Sequence, residues 1–283
     1  MARLHFTKMH GIGNDYVYVD CFSAHVADPV ALAQRVSQRR TGVGSDGLIL
    51  IRPSESADCR MEMYNADGSR AEMCGNGIRC VGKYAFDHGL VRSNPMSVET
   101  DAGVKVLRLH LRNDRVDTVT VDMGEPELEG TRIPLRTAGR VIDAPLQVAG
   151  TTYRVTCLSM GNPHCVTFVP DVEPLDLAHL GPQFEHDPFF PKRVNTEFVT
   201  VRSRTDLRMR VWERGSGETA ACGTGACAVL VAAVLTERAD RRATVRLNGG
   251  DLDIEWSAAD NHVFMTGPAT EVFSGDLEID ACQ

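Results

Sequence analysis

The chain has 283 residues, 43% hydrophobic and 24% charged, with a formal net charge of −8 and a pI near 5.6. That size holds one large domain or two ordinary ones with a sizeable core. The acidic balance argues against nucleic acid or an anionic membrane as partner, since either calls for a basic face.

The first residues, Met1-Ala2-Arg3-Leu4-His5-Phe6, lack the apolar core of a signal peptide. No apolar run approaches the roughly 20 residues that span a bilayer. A cytoplasmic protein with no membrane partner is therefore expected.

In chain order, β-rich or alternating runs predict strands at Tyr16–Asp20, Leu48–Ile51, Met61–Tyr64, Ser97–Thr100, Val104–Leu111 and Thr118–Asp122. The pattern resumes at Tyr153–Leu158, His164–Val169, Glu197–Val201, Leu207–Trp212, Ala243–Leu247, Asp251–Trp256 and Val263–Thr266, with a last strand over Thr270–Ile279. Helical spacing is confined to Val30–Arg39, Asn76–His88 and Thr224–Arg238. The mixture predicts an α+β protein rich in antiparallel sheet, not an alternating βαβ fold. The helix after residue 224 is apolar on every face, and the one after residue 76 has a broad apolar surface. Each is expected to sit inside a curled sheet, surrounded by protein.

Nine cysteines and the absence of any CxxC pair make a disulfide framework or a zinc ribbon a poor fit. Most of the nine are expected in the core. Two stand apart because they occupy nearly the same local sequence: Met73-Cys74-Gly75-Asn76-Gly77 and Ala221-Cys222-Gly223-Thr224-Gly225. They are 148 positions apart, about half the chain, and each precedes a predicted buried helix. This spacing predicts a diverged internal duplication. One half is expected to cover 1–126 with 270–283 and carry Cys74. The other covers 127–269 and carries Cys222. The boundary falls in the stretch Gly124–Gly130.

A thiol at a helix N-terminus meets unpaired N–H groups and the positive end of the macrodipole, which favour a thiolate. The glycines let backbone amides approach a ligand, and those amides suit a carboxylate. Two such cysteines facing one carbon could remove a proton from one side and return it from the other, inverting the centre. Either motif alone reads better as a structural cysteine at a glycine turn. The matched pair favours chemistry. A redox couple is a further reading, although redox cysteines are usually close in sequence.

Tyr64–Cys80 and Glu213–Gly225 resemble the two signature segments of the diaminopimelate epimerase family. Lys8–Tyr16, Gly161-Asn162-Pro163-His164 and Arg193-Val194-Asn195-Thr196-Glu197 are similar to further family segments, in the expected order. The resemblance implies two pseudo-symmetric domains, each a barrel-like β-rich shell around a central helix, with the active site between them. It implies a cofactor-independent isomerase that interconverts LL- and meso-diaminopimelate on the route to lysine and peptidoglycan, acting as a homodimer on a small-molecule substrate. Cys74 and Cys222 would be the two bases. Asn14, Asn65, Asn162 and Asn195 would hold the distal end of the substrate, and Arg214 would bind a carboxylate. Glu213 and His164 would lie near the reacting amino group. Gly75, Asn76, Gly223 and Thr224 would grip the reacting carboxylate. No metal is implied.

One departure concerns Gly47, where many relatives carry a substrate-touching glutamine and others carry glycine. Proline racemases and hydroxyproline epimerases resemble this chain too, but their first motif typically has histidine where Asn76 stands. A non-catalytic amino-acid binding protein on the same scaffold would have no need of either thiol.

Overall fold

The computed structural model describes residues 2–279; Met1 and 280–283, which hold Cys282 and both ends of the first expected domain, lie outside it. The chain forms two compact units. One runs to Val121 and resumes at Gly267; the other is Asp122–Thr266.

The first unit begins with β1 (Ala2–Gly11) and β2 (Asn14–Asp20), an antiparallel pair. Helix α1 (Pro29–Val36) leads to β3 (Gly47–Arg52), which lies parallel to β2. β4 (Cys59–Asn65) returns antiparallel, and the short β5 (Arg70–Ala71) folds back on it. Helix α2 (Gly75–Asp87) crosses to β6 (Met96–Thr100), parallel to β4. β7 (Gly103–Arg112) and β8 (Arg115–Asp122) extend the sheet as antiparallel neighbours.

The second unit repeats this path. β9 (Val141–Val148), β10 (Thr151–Ser159) and β11 (Pro163–Phe168) are antiparallel. Helix α3 (Leu177–Glu185) leads to β12 (Asn195–Ser203), parallel to β11. β13 (Asp206–Glu213) and the short β14 (Gly217–Thr219) follow antiparallel. Helix α4 (Gly223–Leu235) crosses to β15 (Arg242–Leu247), parallel to β13, and β16 (Gly250–Trp256) and β17 (Val263–Pro268) follow antiparallel. The final strand, β18 (Thr270–Ile279), pairs with β1 and fills in the first unit the place that β9 fills in the second.

The fold is thus α+β, mostly antiparallel, with four parallel pairs each bridged by a helix. The duplication holds a spacing of 148 over a long stretch. Asp28 and Asp176 cap α1 and α3, Cys74 and Cys222 cap α2 and α4, and His88 and Thr236 close those last two helices. Helix α2 packs against β1, β2, β3, β4, β6 and β7, and α4 against β10, β11, β12, β13, β15 and β16. Each central helix is therefore ringed by six equivalent strands. This answers the all-round apolar sequence of α4, whose residues 225–233 are buried.

The α3 helix departs from the sequence expectation, which placed no helix there; Pro182 lies inside it and obscures the helical pattern. Its N-cap Asp176 accepts from the His179 amide at 3.2 Å. Gly181 lies against the Trp212 indole where no Cβ fits, so packing on β13 selects the glycine within the helix.

Candidate active site

Cys74 and Cys222 are N-cap residues in extended conformation, with φ of −136° and −125°. Each sulfur therefore lies at a helix start where backbone N–H groups lack intrahelical partners.

In the first unit the Gly77 amide donates to the Cys74 sulfur at 3.4 Å. The Cys74 thiol donates to Asn14 Oδ1 at 3.3 Å, and Asn76 Nδ2 donates to that oxygen at 3.4 Å. Asn14 is fixed in turn by Asp46, whose Oδ2 accepts from Asn14 Nδ2 at 2.8 Å and from the Asp15 amide at 3.2 Å. The two-residue turn before Asn14 is strained: Ile12, a β-branched residue, has φ 47°. Arg79, fully buried, ties the helix start together. Its guanidinium donates to Gly75 O at 3.0 Å, Asn76 Oδ1 at 2.9 Å and Pro268 O at 3.2 Å. Asn65 ends β4 and donates to Ser69 Oγ at 3.0 Å.

In the second unit the Cys222 sulfur pairs with the Thr224 hydroxyl at 3.6 Å. Asn195 opens β12 and accepts from the Arg214 amide at 2.9 Å; the Arg214 side chain, exposed, donates to Lys192 O at 3.1 Å. Glu213 ends β13 and accepts from the Thr219 hydroxyl. His164 is wholly buried. Its Nδ1 lies 2.7 Å from Glu197 Oε1 and its Nε2 lies 3.0 Å from Asn162 Oδ1.

The electrostatics of Cys222 differ from the simple helix-end expectation. Burial, then the nearby Glu213 and Glu197 carboxylates, push its thiol well above the usual cysteine range, outweighing the Thr224 hydroxyl and the Gly225 amide.

Of the thirteen site residues read from the sequence, the structure gathers Asn14, Asn65, Cys74, Gly75 and Asn76 about the start of α2. In the second unit His164, Asn162, Asn195, Glu213 and Arg214 occupy strand ends and turns, while Cys222, Gly223 and Thr224 form the start of α4. Sequence reasoning missed Asp46, Arg79 and Glu197, which hold Asn14, Asn76 and His164. The spacing of 148 was the available signal for Glu197: it sets this acid against Ile49, a buried apolar strand position.

The diaminopimelate epimerase family model matches residues 6–129 and 156–272. The chain belongs to the diaminopimelate epimerase family. A diaminopimelate epimerase of Acetivibrio thermocellus is 56% identical over 277 residues, covering 98% of this chain and 99% of that protein. One from Desulfovibrio desulfuricans is 56% identical over 285 residues, with the same coverage. Among solved structures, a phenazine biosynthesis protein of the PhzF family from Bacillus anthracis aligns with a TM-score of 0.70 at 14% identity. It covers 99% of this chain and 100% of its own, a likeness of fold alone.

Within this family the chain's glycine at position 47 has a backbone reason. A Cβ there would collide with the Tyr64 carbonyl oxygen and lie 3.0 Å from Tyr16 Cε1 and 3.1 Å from Asn65 Cα. A longer side chain requires the β3–β4 backbone to shift.

Proposed function

We propose that this protein interconverts LL- and meso-diaminopimelate by two-base proton transfer at one α-carbon, with Cys74 and Cys222 as the acid–base pair. One sulfur takes the α-proton as the other gives a proton to the opposite face, so configuration inverts and no net proton is consumed. The equivalence of the two cysteine-capped helix starts carries this reading, because inversion needs two similar groups, one for each face.

In this reading the amides of Gly75, Asn76, Gly223 and Thr224 take the reacting carboxylate and stabilise charge that develops on it, as helix N-termini do for anions. Asn14, Asn65, Asn162 and Asn195 supply donors and acceptors for the distal zwitterion, and Arg214 pairs with its carboxylate. Glu213 and His164 attend the reacting amino group. The same reading makes the protein a cytoplasmic homodimer that supplies lysine and peptidoglycan precursors. Among the described residues no helix is long and apolar enough to cross a membrane. Sedimentation of the purified protein checks the dimer.

The test is deuterium uptake at the α-position of LL-diaminopimelate in heavy water, followed with formation of the meso isomer and with proline as control. The native chain is expected to label and epimerise diaminopimelate and leave proline untouched. Cys74→Ala and Cys222→Ala should each lose at least about 10²–10⁴-fold in turnover. Full epimerisation by both variants refutes the assignment, and labelled proline would favour a proline-racemase-type activity.

A further inference from the structure

The two repeats differ sharply beneath the helix that follows each cysteine. On the first side, the place a Cβ would take on Gly77 lies 2.7 Å from the Ile49 Cδ1 methyl. On the second, the place a Cβ would take on Gly225 lies 2.7 Å from Glu197 Oε1 and 3.1 Å from the Cys222 sulfur. The strand register is the same in both units: Ile49 stands opposite Tyr18, and Glu197 opposite Val166. An apolar side chain has thus been exchanged for a carboxyl at one structural position. Along the same spacing, Tyr16 corresponds to His164 and Asn65 to Glu213, so the second unit carries two carboxyls and an imidazole where the first has isoleucine, asparagine and tyrosine.

Glu197 is an expensive residue in this place. It is fully exposed to no solvent, and only its Oε1 is bonded, to His164; Oε2 has no hydrogen-bond partner among the described residues. A buried, half-satisfied carboxyl is costly. The first repeat builds the same strand around the same helix with isoleucine, so the fold does not require the acid. It is also sealed from any ligand, unlike Glu213, and acts only through its neighbours.

We infer that Glu197 is a positioning residue that sets Cys222 apart: it fixes the His164 ring against Asn162, and its carboxyl end, set at Gly225 close to the sulfur, holds Cys222 as the thiol. The inference rests on the two-cysteine reading above and assigns the roles within it. The groups that face Cys222 in its unit are Glu197 on β12, Glu213 on β13, His164 on β11 behind Glu197, and the Thr224 hydroxyl and Gly225 amide on α4. The acids oppose a thiolate and the helix-end groups favour one. Around Cys74 the equivalent positions hold Ile49, Asn65 and Tyr16, the Gly77 amide reaches the sulfur, and the ionisable Tyr18 and Cys80 stand nearby.

Site-resolved alkylation tests this. Native protein and the Glu197→Gln and Glu197→Asp variants are treated with iodoacetamide across pH 6–11, and peptide mass spectrometry gives a labelling midpoint for each cysteine. In the native chain the Cys222 midpoint is expected above the ordinary cysteine value of about 8.5. Glu197→Gln should lower the Cys222 midpoint by about one unit, so that labelling near neutral pH rises about tenfold. Glu197→Asp, which keeps the carboxyl, should keep that midpoint raised, and kcat of Glu197→Gln should fall more than KM rises. A Cys222 midpoint that stays put in folded Glu197→Gln overturns the inference. If that variant does not fold, a native Cys222 midpoint at or below about 8.5 overturns it. Failure of the two-base reading is separately visible, as epimerisation that survives Cys222→Ala.

Discussion

The glycines three residues after each cysteine offer a paired perturbation, Gly77→Ala and Gly225→Ala. Both lie in helices, where alanine is preferred over glycine by about 0.8–1 kcal/mol. Both would place a methyl 2.7 Å from a neighbouring atom, and overpacking of that kind costs about 1–3 kcal/mol. The neighbours decide the difference. At Gly77 the obstacle is the terminal methyl of Ile49, with Met61 Cε next at 3.3 Å, and both are ends of rotatable chains. The gain and the cost nearly cancel, leaving roughly 0–1 kcal/mol of destabilisation. At Gly225 the obstacle is Glu197 Oε1, held at 2.7 Å by His164, with the Cys222 sulfur at 3.1 Å behind it. Displacing that oxygen weakens a hydrogen bond between ionisable groups worth about 1.5–3 kcal/mol, so the net loss is about 2–4 kcal/mol. For a unit of this size each kcal/mol lowers Tm by about 2–4 °C, and the sulfur is moved as well. Melting of the two variants by circular dichroism should show Gly225→Ala about 4–16 °C below the native chain and Gly77→Ala within a few degrees of it. Turnover should fall about 10²-fold or more in Gly225→Ala, since a catalytic atom displaced by about 1 Å costs that much. Equal melting and turnover for the two variants, or a larger loss in Gly77→Ala, would refute the packing argument.

Arg79→Met should cost about 3–5 kcal/mol, because it strands three acceptors that the guanidinium now holds, two of them buried; urea titration checks this, and a loss below about 1 kcal/mol would show the arginine to be dispensable. Asp58 accepts from the Ser93 hydroxyl at 2.6 Å and from the Ser97 hydroxyl and amide at 2.7 Å each, and these bonds hold its carboxyl below the usual aspartate range. A lowered folded-state pKa contributes stability that is present above the ordinary value near 4 and is lost as pH falls through the lowered one. Asp58→Asn should therefore reduce Tm at pH 6 and flatten its decline between pH 5 and pH 2; melting curves that fall in parallel with the native chain would contradict this.

What was legible in the sequence follows from which signals are local. Each of the thirteen β-rich runs before Thr270 coincides with a strand, because alternation and β-branched residues report a half-buried sheet surface directly. The starts of α2 and α4 lie one residue before the expected ones, since the glycine after each cysteine is already helical. Strands β1 and β9 escaped that reading. His5, Thr7, Lys8 and His10 interrupt the apolar pattern of β1, and Asp143 and Pro145 that of β9. The parallel pairs were not readable either, because register joins segments about thirty residues apart and no local pattern encodes it. The cysteines, asparagines and Arg214 of the candidate site were visible through motif and resemblance. Their supports were not: Asp46, Arg79 and Glu197 are charged residues of ordinary local context, and only the folded chain shows them holding Asn14, Asn76 and His164.

The duplication explains why supports of this kind differ between the halves while the cysteines do not. In the two-base reading both helix starts present a sulfur and backbone amides, and Cys-Gly-x-Gly recurs at a spacing of 148. The positions beneath those starts differ. Beneath the helix that Cys222 caps, a buried carboxyl opposes the thiolate that the helix end favours. Two chemically identical cysteines on equivalent scaffolds would share a proton without preference, and an inversion in which one group must hold a proton while the other lacks it gains from breaking that degeneracy. Ile49 against Glu197 is a difference of one buried side chain in each strand, beneath Gly77 in one helix start and Gly225 in the other.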